Sequence, residues 1–206
     1  MKSSESYQIT HTGLFRTDTC YVYHYITCNG LRFETIANSL EQCRKTRDKW
    51  LRSLSVSFTG HRHLSESEES LLPRLKMEVL RAYQAGKRFF MTGGAIGFDT
   101  LAAEVVLQLK KQLPDLALRV IVPFDGQDKF FTPISKDRYR RILEQANDVL
   151  VLSDSYFQHC YLRRNAYLVN HASLLIAYYN GISVGGSSYT VCLAESGKIP
   201  VVNLYL

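Results

Sequence analysis

The chain has 206 residues and a formal net charge of +6, and 46% of its residues are hydrophobic while 21% are charged. These values are typical of a globular protein with one well-buried domain, and they exclude a disordered or low-complexity chain. No apolar run approaches the ~20 residues needed to cross a bilayer, and the opening MKSSESYQIT lacks the apolar core of a signal peptide. We therefore expect a cytoplasmic protein without membrane contact.

Residues 1–52 predict a small β-β-β-α module. Three short segments, YQITHTGLFR, CYVYHYITCNG and LRFETIA, are rich in the aromatic and β-branched residues that favour strands. Asn29 and Gly30 lie between the second and third segments and predict a type I′ hairpin turn, which needs positive φ at both positions. The stretch NSLEQCRKTRDKWL then predicts a helix capped by Asn38 or Ser39.

Part of the positive charge is concentrated in this module, and another part lies at 136–141. Such clusters contact nucleic acid or anionic ligands, but they are also typical of solvated helix faces. A nucleic-acid contact through residues 32–52 is one hypothesis for the module; a protein contact or a role in covering the next domain's sheet is the alternative. The residues that would contact DNA are Arg32, Arg44, Lys45, Arg47 and Lys49.

From residue 53 onward the pattern alternates between strand and helix. Strands are predicted at 55–60, 87–94, 116–124, 148–153, 173–181 and 199–206, and helices at 66–86, 98–114, 136–147, 160–172 and 187–198. The strand segments are continuous apolar runs, which indicates burial on both faces and hence a parallel sheet covered by helices. The predicted fold class is α/β: a Rossmann-like, doubly wound, mostly parallel sheet over residues 53–206, preceded by the small module. Ligands bind such sheets beyond the carboxyl ends of the strands, where the strand order reverses.

The loops after the first two strands of this sheet carry candidate ligand-binding residues. In FTGHRH, glycine lets a ligand approach the backbone, while histidine and arginine supply a titratable donor and a phosphate-matching fork. In TGGAIGFD, a glycine-rich turn opens a helix, and its free N–H groups and the helix dipole favour an anion. Asp99 either takes part in this site or caps its own helix. The residues assigned from these two loops are Thr59, Gly60, His61, Arg62, Gly93, Gly94, Ala95, Gly97 and Asp99.

Three later segments add further candidates. Pro123 and Phe124 form a stiff platform suited to stacking a base, although Phe124, Phe130 and Phe131 can instead pack under a neighbouring loop. The segment YYNGISVGGSSYT opens a second helix with small hydroxyl donors. Between them, one of the two arginines in YLRRNAY is expected to meet the anion and the other to be solvated. The residues assigned from the last two segments are Arg163, Asn165, Asn180, Gly181, Gly185, Gly186, Ser187 and Thr190.

Other chemistries lack their motifs. The glycine spacing matches neither a Walker A loop nor GxGxxG, and there is no GxSxG elbow and no HExxH pair. The five cysteines lie far apart without a CxxC pair, which favours reduced structural thiols and predicts no metal site. No resident cofactor is required by the pattern, but a nucleotide-derived ligand is expected.

With these motifs in order, residues 55–206 resemble the YpsA-like branch of the SLOG superfamily, which also contains cytokinin-activating phosphoribohydrolases and the DprA/Smf domain. The resemblance rests on FTGHR, TGGAIGFDTLAAE, YLRRNAYLVNHASLLIAYYNG and GGSSYTVCLAESGK. It implies a Rossmann-like fold that binds a nucleotide or nucleotide-derived ligand, such as a nucleoside monophosphate or an NAD- or ADP-ribose-like molecule, and it implies a homodimer. Residues 1–52 resemble a small domain of unknown function found in mobile elements of Bacteroides-type bacteria.

The resemblance leaves three hypotheses for function. The first is a sensor or binding protein for the nucleotide-like ligand, in a mobile-element or phage-defence setting. The second is a phosphoribohydrolase-like N-glycosidase with Glu104 and Asp99 as catalytic residues; in this chain Thr92 replaces the proline of the PGGxGTxxE signature, and residues intervene before Glu104. The third is a DNA-associated protein that binds DNA through its N-terminal module.

Overall fold

The protein was analysed as a computed structural model that describes residues 3–12, 18–182 and 184–206. The first 52 residues form a three-stranded antiparallel sheet with one helix. The elements are β1 (Ser4–Thr12), β2 (Asp18–Ile26), β3 (Arg32–Ala37) and α1 (Leu40–Ser53), and the strand order is β1-β2-β3. Ser39 caps α1 by accepting a hydrogen bond from the Gln42 N–H. The end of the first predicted strand, 13–16, lies outside the described residues.

The prediction of a type I′ turn at Asn29 and Gly30 is wrong. Ile26 pairs with Arg32, so five residues connect β2 and β3 rather than two. Gly30 has a φ of +87°, but Asn29 does not have a positive φ. The longer loop lets the Asn29 side chain donate a hydrogen bond of 2.6 Å to the Asp115 carbonyl, and this bond joins the module to the larger domain.

The small module contacts the larger sheet at the amino ends of its strands. Only Leu54 separates α1 from the first strand of that sheet. Arg52 Nε donates to the Ala172 carbonyl over 3.1 Å, and Lys87 Nζ donates to the Ser53 carbonyl over 2.6 Å. Because Ala172, Lys87 and Asp115 each lie just before a strand of the larger sheet, the module covers the end of the sheet opposite to the carboxyl ends of its strands.

The larger domain is a sheet of six parallel strands with helices on both faces, as predicted. Its strands are β4 (Ser55–Gly60), β5 (Phe89–Thr92), β6 (Ala117–Val122), β7 (Asp148–Val151), β8 (Leu174–Tyr178) and β9 (Val201–Asn203), in the order β7-β6-β5-β4-β8-β9. Its helices are α2 (Glu68–Gln84), α3 (Phe98–Lys110), α4 (Pro133–Gln145), α5 (Cys160–Asn170) and α6 (Gly186–Ser196). Every strand pair in this sheet is parallel.

Adjacent residues of one strand enter opposite cores, which explains the continuous apolar runs. Phe90 is fully buried among residues of α2, α3 and α4, whereas its neighbour Met91 is fully buried against α5. Alternation along a strand therefore fills both sides of the sheet. Within the described residues, no helix combines the length and the hydrophobicity needed to cross a bilayer.

Element boundaries differ from the prediction at α4, where the helix begins three residues earlier than 136. Thr132 accepts a hydrogen bond from the Ser135 N–H, and Pro133 occupies the first helical position. Proline is favoured there because its fixed φ suits the helix and its missing N–H would have had no helical partner. This early start places the amino end of α4 beside the strand ends.

Candidate ligand-binding site

A cavity of about 360 Å³ opens at the carboxyl ends of β4 and β8. Strand order reverses between these two strands, since β5, β6 and β7 lie on one side of β4 while β8 and β9 lie on the other. This is the position where doubly wound sheets bind ligands. Predicted residues on its wall are Thr59, Gly60, His61, Arg62, Ala95, Asp99, Asn165, Gly185, Gly186 and Ser187.

Arg164, rather than Arg163, is the arginine of the cavity. Arg164 is only 6% exposed and lines the wall, whereas Arg163 is exposed and lies over the Phe157 ring at 5.8 Å. Arg163 lies on the exposed face of α5, while Arg164 and Asn165 after it lie on the buried face. The assignment of Arg163 to the ligand is therefore corrected to Arg164.

The guanidinium of Arg164 is held at two points, and one of its nitrogens has no hydrogen bond. Its Nε donates to Asn165 Oδ1 over 2.8 Å, and its Nη1 lies 3.6 Å from Asp99 Oδ2. Nη1 is buried and has no hydrogen-bond partner among the described residues. A buried donor without a partner costs free energy, and in native proteins it calls for an explanation such as a bound water or ion.

Gly93 provides the space for this arginine. A Cβ atom at Gly93 would overlap Arg164 Nη1 and would lie 2.7 Å from its Nε. Gly93 therefore packs against the guanidinium and does not lie on the cavity wall. Gly94 and Gly97 are also away from the wall: both have positive φ, and Gly94 packs near Tyr139.

Asp99 lines the cavity but does not cap its own helix: α3 follows Gly97, and no side chain caps its amino end. Its carboxylate accepts a hydrogen bond of 3.4 Å from the Ala95 N–H, so it occupies amides of its own turn, and it also lines the cavity. Burial raises the pKa of the Asp99 carboxyl, and the charge of Arg164 opposes this rise. Burial also lowers the pKa of Arg164, and here the charge of Asp99 acts in the opposite direction.

The amino end of α6 faces the cavity without a side-chain cap. Gly185, with a φ of +101°, precedes the helix and makes no capping hydrogen bond through a side chain. Asn165 Nδ2 donates to the Gly186 carbonyl over 3.2 Å and so ties α5 to this turn. Thr190 is buried and donates to the same carbonyl over 2.6 Å, so it stabilises the helix and is not on the wall. A helix dipole and an arginine thus meet in one cavity, which favours an anion.

His61, after β4, is positioned by Asn180, which follows β8 on the other side of the strand reversal. The Asn180 N–H donates to His61 Nε2 over 3.1 Å, so a neutral His61 carries its proton on Nδ1. Asn180 is consequently a support for His61, and neither Asn180 nor Gly181 is a wall residue. Arg62 lies over the Tyr161 ring at 5.7 Å.

Three further candidates lie away from the cavity. Phe124 is 9% exposed and packs edge-on against Tyr156 and Tyr161, and Pro123 before it is not on the wall either. Glu104 binds Arg138 Nε over 2.9 Å in a surface groove between α3 and α4. The two predicted catalytic residues are therefore apart: Asp99 lines the cavity, and Glu104 does not.

Sequence reasoning missed Arg164 and Tyr161 as wall residues. Both lie in YLRRNAY, and their spacing along the predicted helix is the feature of the sequence that would have identified them. Tyr161 and Arg164 are three positions apart, which puts them on the same helix face, whereas Arg163 projects elsewhere.

The fold is that of a doubly wound α/β protein with a cavity at the point of strand reversal. The model of the YpsA family, described as the YspA SLOG family, matches residues 65–198, and the chain belongs to this family. It is 31% identical over 144 residues to a UPF0398 protein of Halalkalibacterium halodurans, a match covering 69% of this chain and 74% of that protein.

Other similar proteins extend this picture. The chain is 32% identical over 108 residues to the SPbeta prophage-derived protein YoqJ of Bacillus subtilis, covering 47% of this chain and 63% of that protein. Its fold resembles the X-ray structure of DNA processing protein A (DprA) from Streptococcus pneumoniae, with a TM-score of 0.52 and 18% identity over 74% of this chain. The match spans half the length of that DprA chain. The predicted YpsA-like SLOG membership and Rossmann-like fold are confirmed.

Proposed function

We propose that the cavity binds a nucleotide or a nucleotide-derived ligand and that the protein acts as a sensor or binding protein for it. The observation that carries this proposal is the guanidinium of Arg164: this residue lines the cavity, and its buried Nη1 has no hydrogen-bond partner among the described residues. A phosphate oxygen is the partner that arginine geometry matches best. The uncapped amino end of α6 supplies the second contact for the same phosphate.

The cavity itself suits a small polar molecule. Its volume of about 360 Å³ lies within the range of small-molecule sites. Gly185 and Gly186 allow the ligand to approach the backbone closely. Thr59 and His61 add hydroxyl and imidazole groups that can bind a sugar.

Binding is favoured over catalysis because the wall carries a single carboxylate. Among the described residues that line the cavity, Asp99 alone is acidic, and it is engaged by Ala95 and Arg164. Hydrolysis of an N-glycosidic bond is the second candidate, supported by the raised pKa of Asp99, since a general acid or base near neutral pH needs such a shift. In that case released base would appear on chromatography and would be lost in Asp99→Asn.

Titration calorimetry with AMP and with ADP-ribose tests the binding proposal. Ser187→Asp adds a negative charge at the amino end of α6, which favours the helix but repels a phosphate, so we expect weaker binding without loss of thermal stability. Arg164→Gln should weaken binding as well, and Arg163→Gln, on the exposed face of the same helix, is the matched control. If Ser187→Asp and Arg163→Gln bind equally well, no phosphate lies at α6 and the proposal is wrong.

The remaining expectations on partners stay predictions. In the small module, Arg44 and Arg47 both form ion pairs with Glu5, and Lys45 pairs with Glu41, which reduces the charge free to meet DNA. The prophage-derived relative fits a mobile-element setting. Salt-dependent binding of duplex DNA would support the nucleic-acid contact, and sedimentation would test the homodimer.

A further inference from the structure

A second cavity of about 200 Å³ lies beside the first, over the amino end of α4. The two cavities share Arg62, Ala95 and Tyr161 as a common wall. The guanidinium of Arg62 lies 5.7 Å from the centre of the Tyr161 ring, so a cation–aromatic pair forms the boundary between them. A ligand can therefore occupy both cavities only by passing this pair.

The second cavity is lined by aromatic rings. Phe130 is 90% exposed, although large aromatic side chains are usually covered. Phe131 packs edge-on against Tyr139, with ring centroids 5.7 Å apart, so its orientation is set by the core. A planar ring entering this cavity would meet the ring of Phe131, which is already held in place, and the exposed ring of Phe130.

Gln127 gives the second cavity a polar group of known orientation. Its Nε2 donates to Tyr139 Oη over 3.0 Å and to the Gly94 carbonyl over 3.3 Å. The amide nitrogen is therefore engaged by the protein, which leaves Oε1 as the group for an incoming donor such as an exocyclic amine. Aromatic rings beside hydrogen-bond acceptors, here Gln127 Oε1 and the hydroxyl groups of Thr132 and Ser135, are the chemistry that recognises a nucleobase, and a purely apolar guest would leave Gln127 Oε1 without a partner.

We infer that the ligand is bipartite, with its phosphorylated sugar in the first cavity and a planar nucleobase in the second, joined past Arg62 and Tyr161. This inference rests on the proposed function and specifies the class of ligand. Phosphate contacts near α6 would provide much of the affinity, while contacts in the second cavity would select ligands that carry a base. Ligands without a base would then bind more weakly than their base-bearing counterparts.

The experiment compares AMP with ribose 5-phosphate, which differs from it by the base alone, using calorimetry on the full chain. Ser135→Trp fills the second cavity from the first turn of α4, and Phe130→Ser removes an exposed ring whose loss leaves the core intact. Ile134→Trp is the matched control, because Ile134 is 77% exposed on the same turn and does not line the cavity. Thermal unfolding of each variant checks that it is folded.

We expect wild type to bind AMP at least about tenfold more tightly than ribose 5-phosphate, the scale of one stacked base. Ser135→Trp and Phe130→Ser should remove this advantage but leave the affinity for ribose 5-phosphate unchanged. The control Ile134→Trp should bind both ligands as wild type does. If both variants retain wild-type affinity for AMP while Ser187→Asp loses it, the base lies elsewhere, and this inference alone is wrong. If wild type binds neither AMP, ADP-ribose nor ribose 5-phosphate, the proposed function is wrong too.

Discussion

Replacing Gly93 with alanine should displace Arg164 from its buried position. The added Cβ would overlap Nη1 and lie 2.7 Å from Nε, so the guanidinium must move by roughly 2 Å to restore van der Waals separation. That movement breaks the hydrogen bond to Asn165 at 2.8 Å and the pairing with Asp99 at 3.6 Å. Removing one partner from a buried ion pair typically costs about 3–5 kcal/mol, and we expect Gly93→Ala to lose about 3 kcal/mol because the cavity gives the arginine somewhere to go.

The backbone itself does not oppose this substitution. Gly93 lacks a positive φ, so alanine fits its conformation, and a tolerated Gly→Ala change stabilises by about 0.4–1 kcal/mol through the unfolded state. The sign of the effect should therefore depend on Arg164. In an Arg164→Ala background the clash is absent, and Gly93→Ala should become neutral or slightly stabilising.

A double-mutant cycle measured by chemical denaturation isolates this coupling. In thermal melts, about 3 kcal/mol corresponds to a drop of roughly 6–12 °C for a chain of this size. AMP binding, measured in parallel, should weaken in Gly93→Ala because the displaced guanidinium no longer faces the phosphate. Equal destabilisation by Gly93→Ala in both backgrounds would refute the assignment of Gly93 as the space for Arg164.

Three further predictions concern residues outside the cavity. Glu104→Gln should leave ligand affinity unchanged, because Glu104 does not line the cavity. It should lower the free energy of unfolding by less than about 1 kcal/mol in a denaturant titration, because its ion pair with Arg138 is partly exposed. A large loss of affinity would show that Glu104 belongs to the site. Glu5→Gln should lower the unfolding temperature more at pH 7 than in acid. The folded-state pKa of Glu5 is lowered, chiefly by its hydrogen bond with Arg44, so the stabilisation from its carboxylate is fully present above the ordinary value of 4.5 and is lost as pH falls through the lowered folded-state pKa. Asn29→Ala should cost about 1 kcal/mol and speed proteolysis between the modules, because it removes the bond to the Asp115 carbonyl; unchanged cleavage would show that this bond does not hold the module.

Much of the fold was readable because its signals are local. Most strands of the six-stranded sheet are short apolar runs, and Phe89–Thr92 is buried at every position, whereas the edge strand β7 alternates between half-buried and exposed positions. Runs of this kind require cover on both faces, so strand and helix had to alternate around a parallel sheet. The hairpin between β2 and β3 forms, but its turn type was predicted wrongly: the connection is longer, and the Asn29 side chain donates to the carbonyl of the distant Asp115.

The candidate site was predicted as a set of loops but not as a set of side chains. The loops after β4 and β8 converge because parallel strands end at one edge, and Thr59 and Gly186 accordingly share a wall. The aromatic residue expected to face the ligand, Phe124, is packed between two tyrosines. Phe130, which was expected to pack under a loop, borders a cavity instead. Which ring is covered depends on α4 and α5, which lie on different parts of the chain.

The sequence by itself determined the α/β class, the order of the elements, the edge of the sheet where a ligand would bind, and the likeness to YpsA-like SLOG proteins. Those properties follow from periodicity, from glycine at strand ends and from motif order, all of which are written along the chain. Only the tertiary structure decided that Arg164 rather than Arg163 faces the cavity, that Gly93 leaves the space for the Arg164 guanidinium, and that Glu104 lies outside the cavity. The physical reason is that each of these depends on how helices far apart in sequence are rotated against the sheet, because a buried charge is tolerated only where packing brings it a partner.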